Sequence, residues 1–261
     1  MSDSEALVKL ERDAYEIKGA VKLTMNRPQA FNALSESMLD ALDSQLTRIA
    51  ESDARVVIMA GAGRAFCAGH DLKEMRADPS LDYYRELFAR CARMMLTIQR
   101  MPQPVIARVH GIATAAGCQL VAMCDLAVAS DEARFAVSGV NLGLFCATPS
   151  VPLSRNVSRK AAFEMLVTGD FIDANSARER GLVNRVTSAG ALDDAVAQLA
   201  SNIASKPREA VAAGKRLFYR QLETGIEAAY ALASETMACN MMDETALEGT
   251  QAFIDKRPPR W

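Results

Sequence analysis

Apolar residues recur along this chain in two alternating rhythms. Runs in which nearly every position is apolar, at 56–60 and 105–109, predict strands buried on both faces. Between them Leu39, Leu42, Leu46 and Ile49 fall three and four apart, which puts them on one face of a helix opened by Ser35. The same criteria predict strands at 7–13 and 21–25 around a Lys18-Gly19 turn, a helix over 83–100 ended by Met101-Pro102-Gln103-Pro104, and strands at 125–130 and 133–137. Residues 118–124 read as an apolar helix and 140–145 as a loop. Helical patterning then dominates, at 158–167, 175–180, 192–205, 207–222 and 225–246, with one short strand within 181–186. Strand-then-helix alternation predicts an α/β fold with parallel pairing and helical cover. The division expected is a core over 1–195 and a helical region over 196–261, with apolar stripes (Leu217, Phe218; Tyr230, Leu232, Ala233, Met237) that serve either oligomerisation or cover of the core.

Charge narrows the field by exclusion. Thirty basic residues against 32 acidic ones leave a net charge of −2, so no global field favours nucleic acid or an anionic membrane. No apolar run approaches the roughly 20 residues of a membrane span. The start, Met1-Ser2-Asp3-Ser4-Glu5, lacks the basic and apolar segments of a secretory signal. The cysteines at 67, 91, 118, 124, 146 and 239 show neither a CxxC nor a zinc-like spacing, and read as reduced core residues. The expectation is a soluble cytoplasmic protein without a metal site.

The candidate chemistry lies where strands empty into small residues. Residues 61–75, GAGRAFCAGHDLKEM, follow the strand at 56–60 and restart as a helix, and Gly111–Gly117 repeats the move before the helix at 118. A helix that begins at such a turn leaves backbone N–H groups free to hold an anion or a polarised carbonyl. Two turns facing each other would offer two donors to one oxygen, the geometry that stabilises an enolate or a tetrahedral oxyanion. The alternative is that small residues merely let helix and strand pack closely, and sequence leaves both open.

Several runs together carry a resemblance: Asn26-Arg27-Pro28 with Asn32-Ala33-Leu34, Arg64-Ala65-Phe66-Cys67-Ala68-Gly69-His70-Asp71-Leu72, Gly111…Gly117-Cys118-Gln119-Leu120…Cys124-Asp125, and Thr168-Gly169…Ala174…Ala177…Gly181-Leu182-Val183-Asn184. The chain resembles the enoyl-CoA hydratase/isomerase (crotonase) family over nearly its whole length. GHDLKEM and the segment 140–146 are most similar to its enoyl-CoA hydratase domain-containing protein 3 subgroup. The resemblance implies a crotonase-like spiral of ββα turns, a helical C-terminal trimerisation region, and assembly as a homotrimer or dimer of trimers. It implies an acyl-CoA substrate, with no separate cofactor, whose thioester oxygen sits between the backbone N–H groups of His70 and Ala116. Gln29, Ala30, Phe31, Ala68, Asp71 and Leu72 would then line the CoA path. Phe253 and Lys256, from a neighbouring subunit, would reach the nucleotide end, with Lys256 a point charge for phosphate.

One departure governs the expected reaction. Family hydratases add water with two glutamates, a general base and a general acid. Here those positions fall on Gln119 and Gly139. An amide does not shuttle protons at neutral pH, and glycine offers no group at all. The aspartate of some family isomerases falls on Ala147, and the tyrosine of family decarboxylases on Cys146. His70, Asp71, Gln119, Ser138, Asn141 and Cys146 are what remains polar there, and His70 alone titrates near neutrality. Its ring is either satisfied by Asp71 or backbone, or free to act. Three functions stay open: an acyl-CoA enzyme that stabilises an enolate but hydrates poorly, a decarboxylase or other base-independent enzyme on a malonyl-type thioester, and a non-catalytic acyl-CoA-binding oligomer.

Overall fold

The computed structural model describes residues 6–261. The five residues before them, on which the reading of the N-terminus rests, lie outside the described residues. The elements in order are β1 (Val8–Arg12), β2 (Ala20–Met25), α1 (Glu36–Ala50), β3 (Val56–Gly61), β4 (Ala65–Cys67), α2 (Leu72–Ala77), α3 (Leu81–Arg100), β5 (Val105–Val109), β6 (Ile112–Thr114) and α4 (Ala116–Met123). There follow β7 (Leu126–Ser130), β8 (Arg134–Ala136), α5 (Ala147–Asn156), α6 (Arg159–Thr168), β9 (Ile172–Asp173), α7 (Ala174–Glu179), β10 (Arg185–Thr187), α8 (Leu192–Ala204), α9 (Arg208–Leu222), α10 (Ile226–Met241) and α11 (Glu244–Ile254).

Three times the chain makes a strand, a short turn, a second strand and a helix: β3–β4, β5–β6 and β7–β8. The first strand of each unit joins a six-stranded sheet ordered β1-β2-β3-β5-β7-β10, and the second joins a four-stranded sheet ordered β4-β6-β8-β9. Successive units stack by parallel pairing, Val57 on Val105 and Ile106 on Leu126 in the large sheet, Ala65 on Ile112 and Ala113 on Phe135 in the small one. This is the expected spiral of ββα turns. It explains why β3 is apolar without interruption. Val56 and Ile58 join a cluster with Leu192, Val196 and Ala200 of α8, while Val57 and Met59 face the larger core that holds Leu39, Leu42 and Leu46 of α1. A strand buried on both faces has no solvent side to alternate toward.

Differences from the predicted elements have local causes. β4 and β6 are three-residue strands inside the segments read as turns, because Ala-Phe-Cys and Ile-Ala-Thr are too short to establish a period. α5 went unread because Pro149 and Pro152 fall within it, and proline argues against a helix interior. The loop at 140–145 begins within a 3-10 turn over Ser138–Leu142. The long helix over 225–246 is two helices: Met242 and Asp243 bond back to Cys239 and Asn240, closing α10 before α11 starts.

α9 is docked onto the core by one buried ion pair. Lys215 and Tyr219, four residues apart on one helical face, both reach Asp125, at 2.7 Å from Nζ to Oδ2 and 2.7 Å from the hydroxyl to Oδ1. The Lys215 ammonium also donates to the carbonyls of Ile98 and Gln103, both at 2.8 Å, and Asp125 Oδ2 accepts the Val105 N–H at 2.6 Å. All three ammonium protons are used. Burial pushes Lys215 below its ordinary pKa, against the opposing pull of Asp125. Asp125→Ala strands a buried ammonium, and the expected loss is about 3–5 kcal/mol in urea unfolding.

Candidate functional site

The spiral decides where the two small-residue turns go. β4 and β6 are parallel neighbours, so the residues that follow them, Ala68-Gly69-His70 and Ala115-Ala116, emerge side by side at the same sheet edge. They touch backbone to backbone. A Cβ on Gly69 would lie 3.0 Å from the Ala115 Cβ and 3.3 Å from the Ala116 nitrogen, and one on Gly117 would lie 2.1 Å from the Cys67 carbonyl oxygen. Gly69 also sits at φ 92°, a conformation other residues adopt only under strain. Ala115 does carry such strain, at φ 50° and ψ −120°, about 1–3 kcal/mol held in place by its N–H bond to the Ala136 carbonyl at 3.0 Å.

Backbone directions at the turns follow from their pairing. Leu34 N–H bonds the Gly69 carbonyl at 2.7 Å and the Leu34 carbonyl accepts Asp71 N–H at 3.4 Å, a parallel bridge centred on His70. In that register the flanking residues make the bonds, so the N–H of His70 itself points away from Leu34. Ala116 is the first residue of α4, where no helical carbonyl is available to its N–H.

The segment that carries Gln29, Ala30 and Phe31 is fastened to this edge. It forms a 3-10 turn over Pro28–Ala30, and the Phe31 carbonyl accepts the Ala68 N–H at 3.0 Å. The Phe31 ring is exposed, with the Arg64 guanidinium 5.4 Å from its centre. Leu72 is likewise exposed at the start of α2. Asp71 is placed differently from the CoA-lining role: its carboxylate is buried, caps α2 through the N–H groups of Lys73 (3.0 Å) and Glu74 (3.4 Å), and pairs with Arg27 at 2.7 Å. Burial alone would raise this carboxyl, but the Arg27 hydrogen bond and the two amides hold it below the ordinary value. Gln29, Ala30, Phe31, Ala68 and Leu72 thus come together around the two turns. Phe253 and Lys256 do not: they lie at the end of α11, where Phe253 shares an open groove with Pro207, Thr250 and Trp261.

Apart from Arg27, Arg64 and Asp71, the polar side chains near the turns are His70, Gln119, Ser138, Asn141 and Cys146. Among the described residues neither ring nitrogen of His70 has a hydrogen-bond partner, Asp71 included, and the ring meets Phe88 edge-on at 5.6 Å between centres. Burial pushes the imidazole below its ordinary pKa, against a smaller opposing pull from the Leu34 backbone. Gln119 is 4% exposed, its Oε1 unpartnered, and it shares a face of α4 with Ala115 and Ala116. At Gly139 the space is already taken: a Cβ would lie 2.5 Å from the Leu144 carbonyl oxygen and 2.7 Å from Cys146 Sγ. That sulfur accepts the Gly139 N–H at 3.2 Å, and burial pushes the thiol up, away from nucleophilic use. Ser138 pairs with Thr114 at 2.9 Å, and Asn141 donates to the Gly169 carbonyl at 3.4 Å. The Thr114–Ser138 contact, the Arg27–Asp71 pair and the Phe88 wall join residues 24, 44 and 18 positions apart, separations that no local pattern announces. Among the described residues no cluster of His, Cys, Asp and Glu could hold a metal.

Against this geometry the comparisons with known proteins are consistent. The sequence matches the enoyl-CoA hydratase/isomerase family over residues 16–261. The chain belongs to that family. It is 46% identical over 244 residues to the mitochondrial enoyl-CoA hydratase domain-containing protein 3 of Rattus norvegicus, covering 93% of this chain and 81% of the relative. The human relative of the same description is 44% identical over 249 residues, covering 95% and 82%. Its crystal structure superposes with a TM-score of 0.94 at 42% identity, covering 98% of this chain and 100% of that one. An enoyl-CoA hydratase of Mycobacterium smegmatis gives 0.96 at 65% identity, covering 98% and 99%.

These names correct the expected compartment. The relatives of the domain-containing protein 3 subgroup from rat, mouse, frog, human and zebrafish are each named as mitochondrial proteins, which overturns the cytoplasmic expectation. An acidic first stretch argues only against one kind of secretory signal, and ordinary composition fixes no compartment.

Two expected outcomes follow from the site. Asp71 has a folded pKa below its unfolded value near 3.8, so its stabilisation is complete above that value and is lost as pH falls through the lowered one. Arg27→Ala flattens this acid limb in thermal melts taken between about pH 5 and pH 2. In the other experiment, Gln119→Glu with Gly139→Glu fails to install hydration of crotonyl-CoA, because the second side chain has no room beside Leu144 and Cys146; a rate rising by about two orders of magnitude or more would show the loop yields.

Proposed function

We propose that this enzyme-family member binds an acyl-CoA thioester and holds its carbonyl oxygen between the N–H groups of His70 and Ala116, stabilising an enolate. The observation that carries this reading is the direct contact of the two turns at Gly69 and Ala115–Ala116, with each N–H turned away from its own secondary structure. Donors preorganised in this way act on charge as it develops, and one donor is worth a few kcal/mol in such sites. Gln29, Ala30, Phe31, Ala68 and Leu72 line the approach of the CoA. Asp71 contributes by fixing the start of α2, not by contacting ligand.

The reaction is not ordinary hydration. Gln119 and Gly139 supply neither acid nor base, and the space around Gly139 is closed. The absence of a carboxylate at 119, 139 and 147, together with an Asp71 already committed to Arg27, favours a second reading. A malonyl-type thioester would bring its own electron pair as CO₂ leaves, and no nearby side-chain anion would repel its carboxylate. Cys146 replaces the tyrosine of the family decarboxylases, so any such reaction proceeds without a phenol at that position.

The active form is a homotrimer or a dimer of such trimers, with residues 196–261 as the assembling region. Ile226, Tyr230, Met237, Met242 and Phe253 are 72%, 69%, 71%, 74% and 86% exposed in the single chain, an amount of apolar surface that marks a contact face. Within such an assembly Phe253 and Lys256 reach the nucleotide end of a neighbour's CoA.

One panel tests the reading. Calorimetry detects binding of butyryl-CoA, and crotonyl-CoA turnover falls at least about two orders of magnitude below that of two-glutamate hydratases. Mass spectrometry of malonyl-type thioesters shows loss of CO₂ if the second reading holds. A hydratase rate equal to those relatives, or no binding of any acyl-CoA, overturns the proposal.

A further inference from the structure

Asn32 is wholly buried, at 0% exposure, where the chain passes from the exposed Phe31 into the buried Ala33, Leu34 and Ser35. Its backbone is at φ 54°, next to Phe31 at φ 51°. Two successive residues in the left-handed region make a tight reversal, and asparagine tolerates that region better than most residues. The side chain is then aimed across to the segment between β3 and β4. Its Nδ2 donates to the carbonyls of Ala62 (2.8 Å), Ala65 (2.8 Å) and Phe66 (3.2 Å), while Oδ1 accepts the Arg27 N–H at 3.0 Å. Gly61 is matched to it: a Cβ there would fall 2.9 Å from Nδ2 and 2.4 Å from the Phe66 carbonyl oxygen. The amide's N–H donors thus tie residues 27–34 to residues 62–66, while its acceptor closes the reversal onto Arg27 within the same segment.

Resting on the oxyanion-hole reading above, we infer that Asn32 is the positioning residue that sets the direction of the His70 N–H. The path is short. Two residues after Asn32, Leu34 forms the parallel bridge that turns the His70 N–H outward, and one residue before it the Phe31 carbonyl holds the Ala68 N–H. Asn32 touches no ligand in this scheme. It fixes the spacing between the two chain segments whose bridge orients the donor. Ala116 is held independently, by α4 and the strained Ala115. Loss of Asn32 therefore misaims one of the two donors and leaves the other in place. Among the described residues no other side chain spans the two segments with this many bonds: Arg27 reaches Asp71 beyond them, and His110 reaches the Gly63 carbonyl.

The test compares two asparagines whose side chains bond the backbone, Asn32 wholly buried and Asn184 exposed. Asn184 accepts the Ala127 N–H at 2.7 Å, between β7 and the start of β10 in the large sheet. Wild type, Asn32→Ala and Asn184→Ala are bound to butyryl-CoA carrying ¹³C at the thioester carbonyl, and the carbonyl stretch is read by infrared difference spectroscopy. A carbonyl held by two aligned donors absorbs at lower frequency than in water. Expected are a clear downshift in wild type and Asn184→Ala, a smaller one in Asn32→Ala, and a Kd for butyryl-CoA raised about tenfold in Asn32→Ala alone. Thermal stability falls in both variants, so a merely structural role predicts that they behave alike. If Asn32→Ala does not fold, Asn32→Ser, which keeps one shorter donor, carries the same expectation with a smaller effect. A downshift unchanged in the Asn32 variant overturns this inference alone. A wild-type carbonyl with no downshift removes the oxyanion hole and this inference with it.

Discussion

The structure depends on the parallel pairing of two three-residue strands, β4 and β6. That pairing brings residues 68–70 and 115–116 to one edge, at a separation that excludes a Cβ on Gly117 and crowds one on Gly69. Everything specific to the site follows from this constraint. The glycines are required because backbone meets backbone. The strain at Ala115 is the cost of turning sharply out of β6 while keeping its bond to Ala136. The free amides are by-products of the same geometry, since one belongs to a bridging residue and the other to the first residue of a helix.

The proposed hole, assembled from amides, would differ from one assembled from ions. Partial charges fixed in a buried, low-dielectric place act strongly on a charge that develops beside them, and they need not reorganise when it does. The surroundings preserve this advantage by staying neutral. Burial keeps His70 uncharged and the Cys146 thiol protonated, Gln119 carries no charge, and Asp71 is neutralised by Arg27. Two further strong ion pairs lie at docking points. Asp125 with Lys215 seats α9, and Arg108 with Asp193 at 2.7 Å seats the start of α8, where the Arg108 hydrogen bonds hold the Asp193 carboxyl down to about 2.

Much of this was legible in the sequence, for reasons that differ by element. The doubly buried strands and the α1 stripe announced themselves through apolar period, and Ser35 as a cap was read from residue type. The two turns were visible as small-residue runs, although the strands β4 and β6 inside them were not, because Ala-Phe-Cys and Ile-Ala-Thr are too short to establish a period. That the glutamate positions of family hydratases fall on Gln119 and Gly139 was an implication of the resemblance. What sequence did not reveal was the steric closure at Gly139, since Leu144 and Cys146 reach it only through the 3-10 turn. Nor did it reveal the commitment of Asp71 to Arg27, 44 residues away, or the role of Asn32. In the sequence Asn32 is only a polar residue before Ala33 and Leu34, and its importance lies in which carbonyls happen to converge on it.

The closure at Gly139 bears on how the chemistry can be understood. A site that had merely lost two carboxylates would leave cavities where they stood, open to water that could take over part of their work. Here one position is occupied by a sulfur and a carbonyl oxygen, and the other by an amide buried with an unpartnered oxygen. A buried, unsatisfied amide oxygen costs about 1–3 kcal/mol. Stability alone gives no reason to retain it, whereas a ligand that donates a hydrogen bond to it would recover that energy on binding. The neutral ring of His70 likewise offers one acceptor nitrogen and one N–H donor, neither partnered among the described residues. The polar groups left beside the hole are therefore suited to recognise a ligand rather than to exchange protons with one.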